Sequence, residues 1–121
     1  MKKLILLLAI VIVNANEIEL FENLFTQLFH KKEINIYTKK YSYFNSRILK
    51  KVDSCKKADL VLGELDCNKP RFVLNYHNFK KDKMAIGAFY WRKGRPQLRL
   101  RKDNILKYHL YLSKEFSEYL E

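Results

Sequence analysis

MAIGAFYWRKGRPQLRLR, residues Met84 to Arg101, joins two apolar arms through a defined turn and reads as a β-hairpin. Its first arm, Met84 to Trp91, is apolar on both faces: Ile86, Ala88 and Tyr90 point one way, Gly87, Phe89 and Trp91 the other. Such a strand suits a position covered on both sides, and so a central place in a sheet. The second arm, Gln97 to Arg101, alternates strictly, with Leu98 and Leu100 on one face and Gln97, Arg99 and Arg101 on the other, so it should be half-exposed. Between the arms, Gly94 of Lys93-Gly94 supplies the positive φ of a tight turn, and Pro96 sits at a strand start, where a missing N–H is tolerated. A two-residue turn pairs Phe89 with Leu98, Gly87 with Leu100 and Trp91 with Pro96.

Upstream, Glu17 to Phe29 repeats Ile18, Leu20, Phe21, Leu24, Phe25, Leu28 and Phe29 at three and four spacing, the stripe of an amphipathic helix. Its polar face carries Glu17, Glu19 and Glu22 instead of basic residues, so it should cover the core and not lie on a membrane. Glu33 to Thr38 reads as a strand, Tyr41 to Lys51 as a helix through Tyr41, Phe44, Ile48 and Val52 with Thr38 or Ser42 as its cap, and Ala58 to Glu64 as a buried strand. Strand, helix and strand over about 30 residues predict a βαβ unit with parallel strands. Arg71 to Tyr76 is a third strand, and His77 to Lys83 a short polar helix or loop. Asp103 and Ser113 are candidate caps of a brief helix, Asn104 to Tyr108, and of a last helix ending at Leu120. The expected architecture is a small three-layer, Rossmann-like α/β domain with a mixed sheet, an N-terminal βαβ unit and a C-terminal antiparallel hairpin.

At the N-terminus, two lysines precede the apolar run Leu4 to Val13, and Val13-Asn14-Ala15 fits a signal-peptidase site. The run falls short of the roughly 18 residues of a membrane anchor. The expectation is a signal peptide over residues 1–15, a single domain over 16–121, and a secreted, periplasmic product. Of 24 Lys and Arg, removal of Lys2 and Lys3 leaves 22 against 13 Asp and Glu, a mature charge of +9. That balance favours anionic partners such as an envelope surface or an acidic protein face. Nucleic acid is not expected, because an exported protein rarely meets it and the lysines are spread along the chain.

Cys55 and Cys67 are the candidate redox residues. An oxidising compartment favours a disulfide. If Ala58 to Glu64 is a strand, however, its ends lie roughly 20 Å apart at about 3.3 Å per residue, while a bridge needs Cα atoms about 4.4 to 6.8 Å apart. A bridge within the chain therefore requires the flanks to double back; a cross-chain bridge, which would make a homodimer, and free buried thiols stand beside it.

In parallel α/β sheets ligands sit beyond the carboxyl ends of the strands. Here those ends place Thr38, Lys39, Glu64, Asn75 and His77 as a candidate ligand pocket. No CxxC, HxxxH, GxSxG or glycine-rich phosphate loop occurs, and His30, His77 and His109 lack ligand spacing, so no catalytic residue, metal or cofactor is expected. The hairpin offers a different feature. Arg92, Lys93 and Arg95 at its tip and Arg99 on its open face carry guanidinium forks suited to carboxylates, and are the candidate partner-binding residues.

The cysteine before an apolar strand in SCKKADLVLGE, the strand AIGAFYW, the return RPQLRL and the closing LYLSKEFSEYL, together with the N-terminal segment and first helix, give the chain a resemblance. It resembles the YfiR-like family of small periplasmic proteins, which hold a membrane diguanylate cyclase inactive by binding its periplasmic part. It departs from that family in having Ile86-Gly87 for a glycine pair and Leu100-Arg101-Lys102 at the strand end, and in lacking additional cysteines. The resemblance implies a non-enzymatic regulator of cyclic-di-GMP signalling whose partner is a membrane signalling protein, with Cys55 at the family's redox-sensitive position. The other functions to weigh are a small solute-binding module of the envelope and an envelope binder of DNA or wall polymer.

Overall fold

The structure, a computed structural model, describes residues 13–39 and 45–121. The hairpin forms as β5, Gly87–Arg92, and β6, Arg95–Leu100, with Phe89 opposite Leu98, Gly87 opposite Leu100 and Trp91 opposite Pro96. Both turn residues are left-handed, Lys93 at φ 52° and Gly94 at φ 76°. That pair of angles is the hairpin turn whose twist matches the flanking strands. The first arm begins later than its apolar run, because Asp82 organises the chain before it: its carboxylate accepts the Met84 N–H at 3.1 Å and its carbonyl the Ala85 N–H at 3.2 Å.

Four more strands complete one mixed sheet: β1 Ile34–Tyr37, β2 Leu49–Val52, β3 Leu60–Leu62 and β4 Arg71–Val73. The spatial order is β2-β1-β3-β4-β5-β6, parallel throughout except for the β5–β6 pair. Thus β5 is an interior strand covered on both faces, as its two apolar faces require, but it stands next to the edge strand β6 and not at the centre of the sheet. Leu120 bridges Leu100 on the outer side of β6, where the Glu121 N–H reaches the Leu100 carbonyl at 2.8 Å.

One face of the sheet lies under α1, Val13–Phe29. Its stripe buries Phe21, Leu24, Phe25 and Leu28. Phe21 meets Phe89 edge-on at 5.6 Å and Phe72 at 5.8 Å, and Phe25 meets Phe72 at 5.2 Å. Each fully buried side chain of this size contributes about 1.5–3 kcal/mol. The helix stops at His30, whose φ of 52° lets the Lys31 N–H return to the Thr26 carbonyl at 3.3 Å. Residues 1–12, with the basic and apolar part of the expected export signal, lie outside the described residues, and Val13–Ala15 begin α1. Among the described residues no helix is long and apolar enough to cross a membrane.

On the opposite face α2, Tyr76–Lys81, packs Phe79 against Val73, Ala85, Ala88 and Tyr90. Ile105 of α3, Lys102–Lys107, and Phe116 of a closing 3-10 helix, Lys114–Tyr119, join the core beneath α1. Helices on both faces of a mixed sheet make the small three-layer α/β domain, although the second layer is a helix of only six residues. Neither Asp103 nor Ser113 acts as a side-chain cap; Arg101 occupies the N-cap position of α3, and Ser113 makes no capping bond. His109, at φ 58°, ends α3 as His30 ends α1, with Leu110 N–H on the Ile105 carbonyl at 3.0 Å and its own N–H on that of Leu106 at 2.9 Å.

One further expectation is corrected and one open alternative is settled. Leu49–Val52 is a strand, not the end of a helix from Tyr41; Tyr41, Ser42 and Phe44 lie outside the described residues. The Ser46 hydroxyl accepts the N–H of Ile48 at 3.0 Å and of Leu49 at 2.9 Å, turning the chain so that β2 pairs with the free edge of β1. The exposed Lys50 and Lys51 then guard the sheet's outer edge. Second, Cys55 and Cys67 form a disulfide within the chain, with Cα atoms 5.9 Å apart. The strand between them is only Leu60–Leu62, and Gly63, at φ 112°, turns the chain back directly after it. Because β4 runs parallel to β3, the chain returns from the carboxyl end of β3 toward its amino end before β4 begins, which brings Cys67 back beside the residues that lead into β3. A cross-chain bridge and free thiols are thereby excluded.

Candidate functional site

The carboxyl ends of β1, β3 and β4 lie at one end of the sheet, and because β5 runs parallel to them the hairpin turn stands at that same end. Of the residues expected to line a pocket there, Thr38 is buried at the end of β1, while Lys39, Glu64, Asn75 and His77 are exposed. Asn75 is engaged in the fold: it caps α2, its side-chain oxygen accepting the Asn78 N–H at 2.7 Å. His77 lies in the first turn of the same helix.

Glu64 alone of these five lines a surface depression of about 310 Å³, beside Leu65, Asp66, Arg71, Lys81 and Asp82. Its charged centre is already neutralised. Arg71 grips the Asp82 carboxylate through Nε at 2.6 Å and Nη2 at 2.8 Å, and donates to the Cys67 carbonyl at 3.3 Å. The Arg71 hydrogen bond holds the Asp82 carboxyl below its ordinary pKa against the opposing effect of burial, and Asp82 raises that of Arg71. A carboxylate so held stays ionised and occupied, which suits a brace between β4 and the end of α2 better than proton transfer. Arg101 reinforces the brace. Its guanidinium lies 3.9 Å from the Phe79 ring centre and donates to the carbonyls of Phe79 and Asp82, closing the end of α2; burial lowers its pKa.

The hairpin presents the other candidate surface. On the face shared with α2, the register places Ala88 opposite Arg99, Tyr90 opposite Gln97 and Arg92 opposite Arg95. The Arg92 guanidinium lies over the ring of Tyr76 at 5.4 Å, and Tyr76 is tilted against Tyr90 at 5.7 Å. The Tyr90 hydroxyl accepts a hydrogen bond from Arg99 at 3.3 Å, and Arg99 also pairs with the Glu121 carboxylate. Arg99 is therefore a neutralised member of this face. Among the described residues no carboxylate pairs with Arg92, Lys93 or Arg95, all of which are exposed.

Tyr76 is the part of this face that periodicity misplaces. Continuing RFVLNY as a strand puts it at a strand end, whereas Asn75 opens a helix and turns the ring onto Tyr90. The sequence signal was the Asn before a polar run, a preferred N-cap. The fold and this face define a small disulfide-bridged α/β domain with a cationic, aromatic-backed hairpin tip. Comparison with known protein families, curated proteins and solved structures finds no match to the chain.

Proposed function

We propose that this chain is a secreted, non-enzymatic regulator that binds the periplasmic part of a membrane signalling protein, a diguanylate cyclase by the resemblance of its sequence to the YfiR-like family, and represses it. The observation that carries the reading is the hairpin tip. Arg92, Lys93 and Arg95 project from a sheet-anchored turn with no carboxylate partner among the described residues. Exposed, uncompensated arginines beside an aromatic ring are what protein interfaces use as anchors. The Cys55–Cys67 bridge supports an oxidising compartment, since disulfides persist in secreted proteins and are rare in the cytosol.

The test is recovery of the partner. The protein, tagged at its C-terminus and expressed from its own gene, is captured from detergent-solubilised membranes, and cyclic-di-GMP is measured in a deletion strain. The expected result is a co-purifying membrane signalling protein and a rise in cyclic-di-GMP on deletion. Capture without any signalling protein, or an unchanged nucleotide level, removes the reading.

A further inference from the structure

We propose that Arg92 and Arg95, backed by Tyr76, form a grip for the carboxylates of an acidic protein segment. The assignment rests on the regulator reading only for where that segment belongs, namely on the partner; the chemistry of the grip is argued from the hairpin itself.

Arg92 and Arg95 are the last cross-strand pair before the turn, so their side chains leave the same face side by side. Like charges directly opposite one another destabilise a hairpin, and among the described residues no acid offsets this pair. The next arginine on that face, Arg99, has its acid in Glu121 and a second contact in the Tyr90 hydroxyl. The row Arg99, Tyr90, Tyr76, Arg92 is thus satisfied at one end and open at the other. At the open end the Tyr76 ring restrains Arg92 at 5.4 Å, and the Arg92 N–H groups have no acceptor among the described residues. A restrained guanidinium with its donors free is preorganised for a two-pronged bond to a carboxylate.

Phosphate is the less suitable anion. Lys93 and Gly94, both left-handed, do not form the right-handed then left-handed pair of a backbone anion nest. Among the described residues no helix N-terminus of useful length stands at the tip either, α2 being six residues long. The open face and the half-exposed Tyr76 ring beside two arginines match the residues that dominate protein–protein recognition. An acidic stretch of polypeptide offers carboxylates at strand or helix spacing and apolar groups for the ring.

Binding of fluorescent hexaglutamate, and of its hexaglutamine counterpart, to the full chain tests the grip by anisotropy. The acidic peptide should bind and the neutral one should not. Arg92→Lys and Arg95→Lys keep the charge but remove the fork, and each should weaken binding about tenfold, with Tyr76→Ala weakening it less. Unfolding midpoints of both arginine variants should match the parent, since both side chains are exposed. Retention of full affinity by both lysine variants overturns the proposal. So does displacement of the peptide by an equal concentration of inorganic phosphate, or tighter binding of DNA or anionic vesicles that is insensitive to Arg92→Lys. The two readings fail separately. A membrane partner captured equally well by Arg92→Lys and Arg95→Lys protein removes the grip and leaves the regulator, whereas peptide binding that needs both arginines without any signalling protein in the capture does the reverse.

Discussion

Gly87 is required by space, not by its dihedral angles. A Cβ there would lie 2.6 Å from the Arg99 carbonyl oxygen, 2.8 Å from Leu100 Cδ2 and 3.1 Å from Phe72 Cε2, so the β4–β5–β6 junction closes only over a hydrogen. Gly87→Ala should cost about 1–3 kcal/mol by overpacking, seen as a lower denaturant midpoint at unchanged slope. Asp82 carries the pH dependence. Its pKa is lower in the folded protein than its ordinary value, because Arg71 donates two hydrogen bonds to its ionised form. The folded state therefore binds fewer protons there than the unfolded chain, and the stabilisation is present above the ordinary carboxylate range and lost as pH falls through the folded value. Asp82→Asn should lower stability near neutral pH by about 1–3 kcal/mol and flatten the loss below about pH 4, measured by urea unfolding across the acid range. Neither role is legible residue by residue. Gly87 reads as one apolar position of a strand, and Arg71 and Asp82 stand in different elements until the fold brings them together.

At the scale of elements, the disulfide closes the loop that carries β3. With 12 residues of separation it should contribute roughly 3 kcal/mol by restricting the unfolded chain. Replacing both cysteines with serine should lower stability by about that amount while leaving the far-ultraviolet circular dichroism unchanged, because β3 is held on both sides by β1 and β4. The helix expected over Tyr41 to Lys51 shows why short elements resist periodicity. Ile48 and Val52 fit a helical stripe, and Leu49–Val52 shows no strict alternation to oppose it, so a segment of four residues is decided by whether a strand edge is open beside it. Long elements did not suffer this ambiguity. Phe21, Leu24, Phe25 and Leu28 repeat often enough to specify both a helix and its buried side.

For the molecule as a whole, the full sequence carries 24 basic against 13 acidic residues, a net charge of +11. Such a field speeds encounter with an acidic partner and is screened within about 10 Å at 0.1 M salt. Association with the membrane partner proposed above should slow by about tenfold or more between low and physiological salt, while dissociation changes less, as measured by stopped-flow or surface-based kinetics. If the rate of association ignores salt, the exposed cations contribute nothing to recognition.

The periods of apolar residues were enough to determine α1, the two arms of the hairpin and the α/β class, because those signals are repeated along the chain and each repeat acts on its neighbours, and the Lys93-Gly94 turn fixed the hairpin register; β1 and β3 are parallel as expected, although Leu49–Val52 of the helix expected between them is a strand. Tertiary structure alone decided that Leu49–Val52 joins the sheet, that Cys55 and Cys67 meet, and that Tyr76 rests under Arg92. Each depends on where a chain reversal brings residues distant in sequence, and the angles at Gly63 and the cap at Asn75 set those reversals in ways that residue periodicity does not encode.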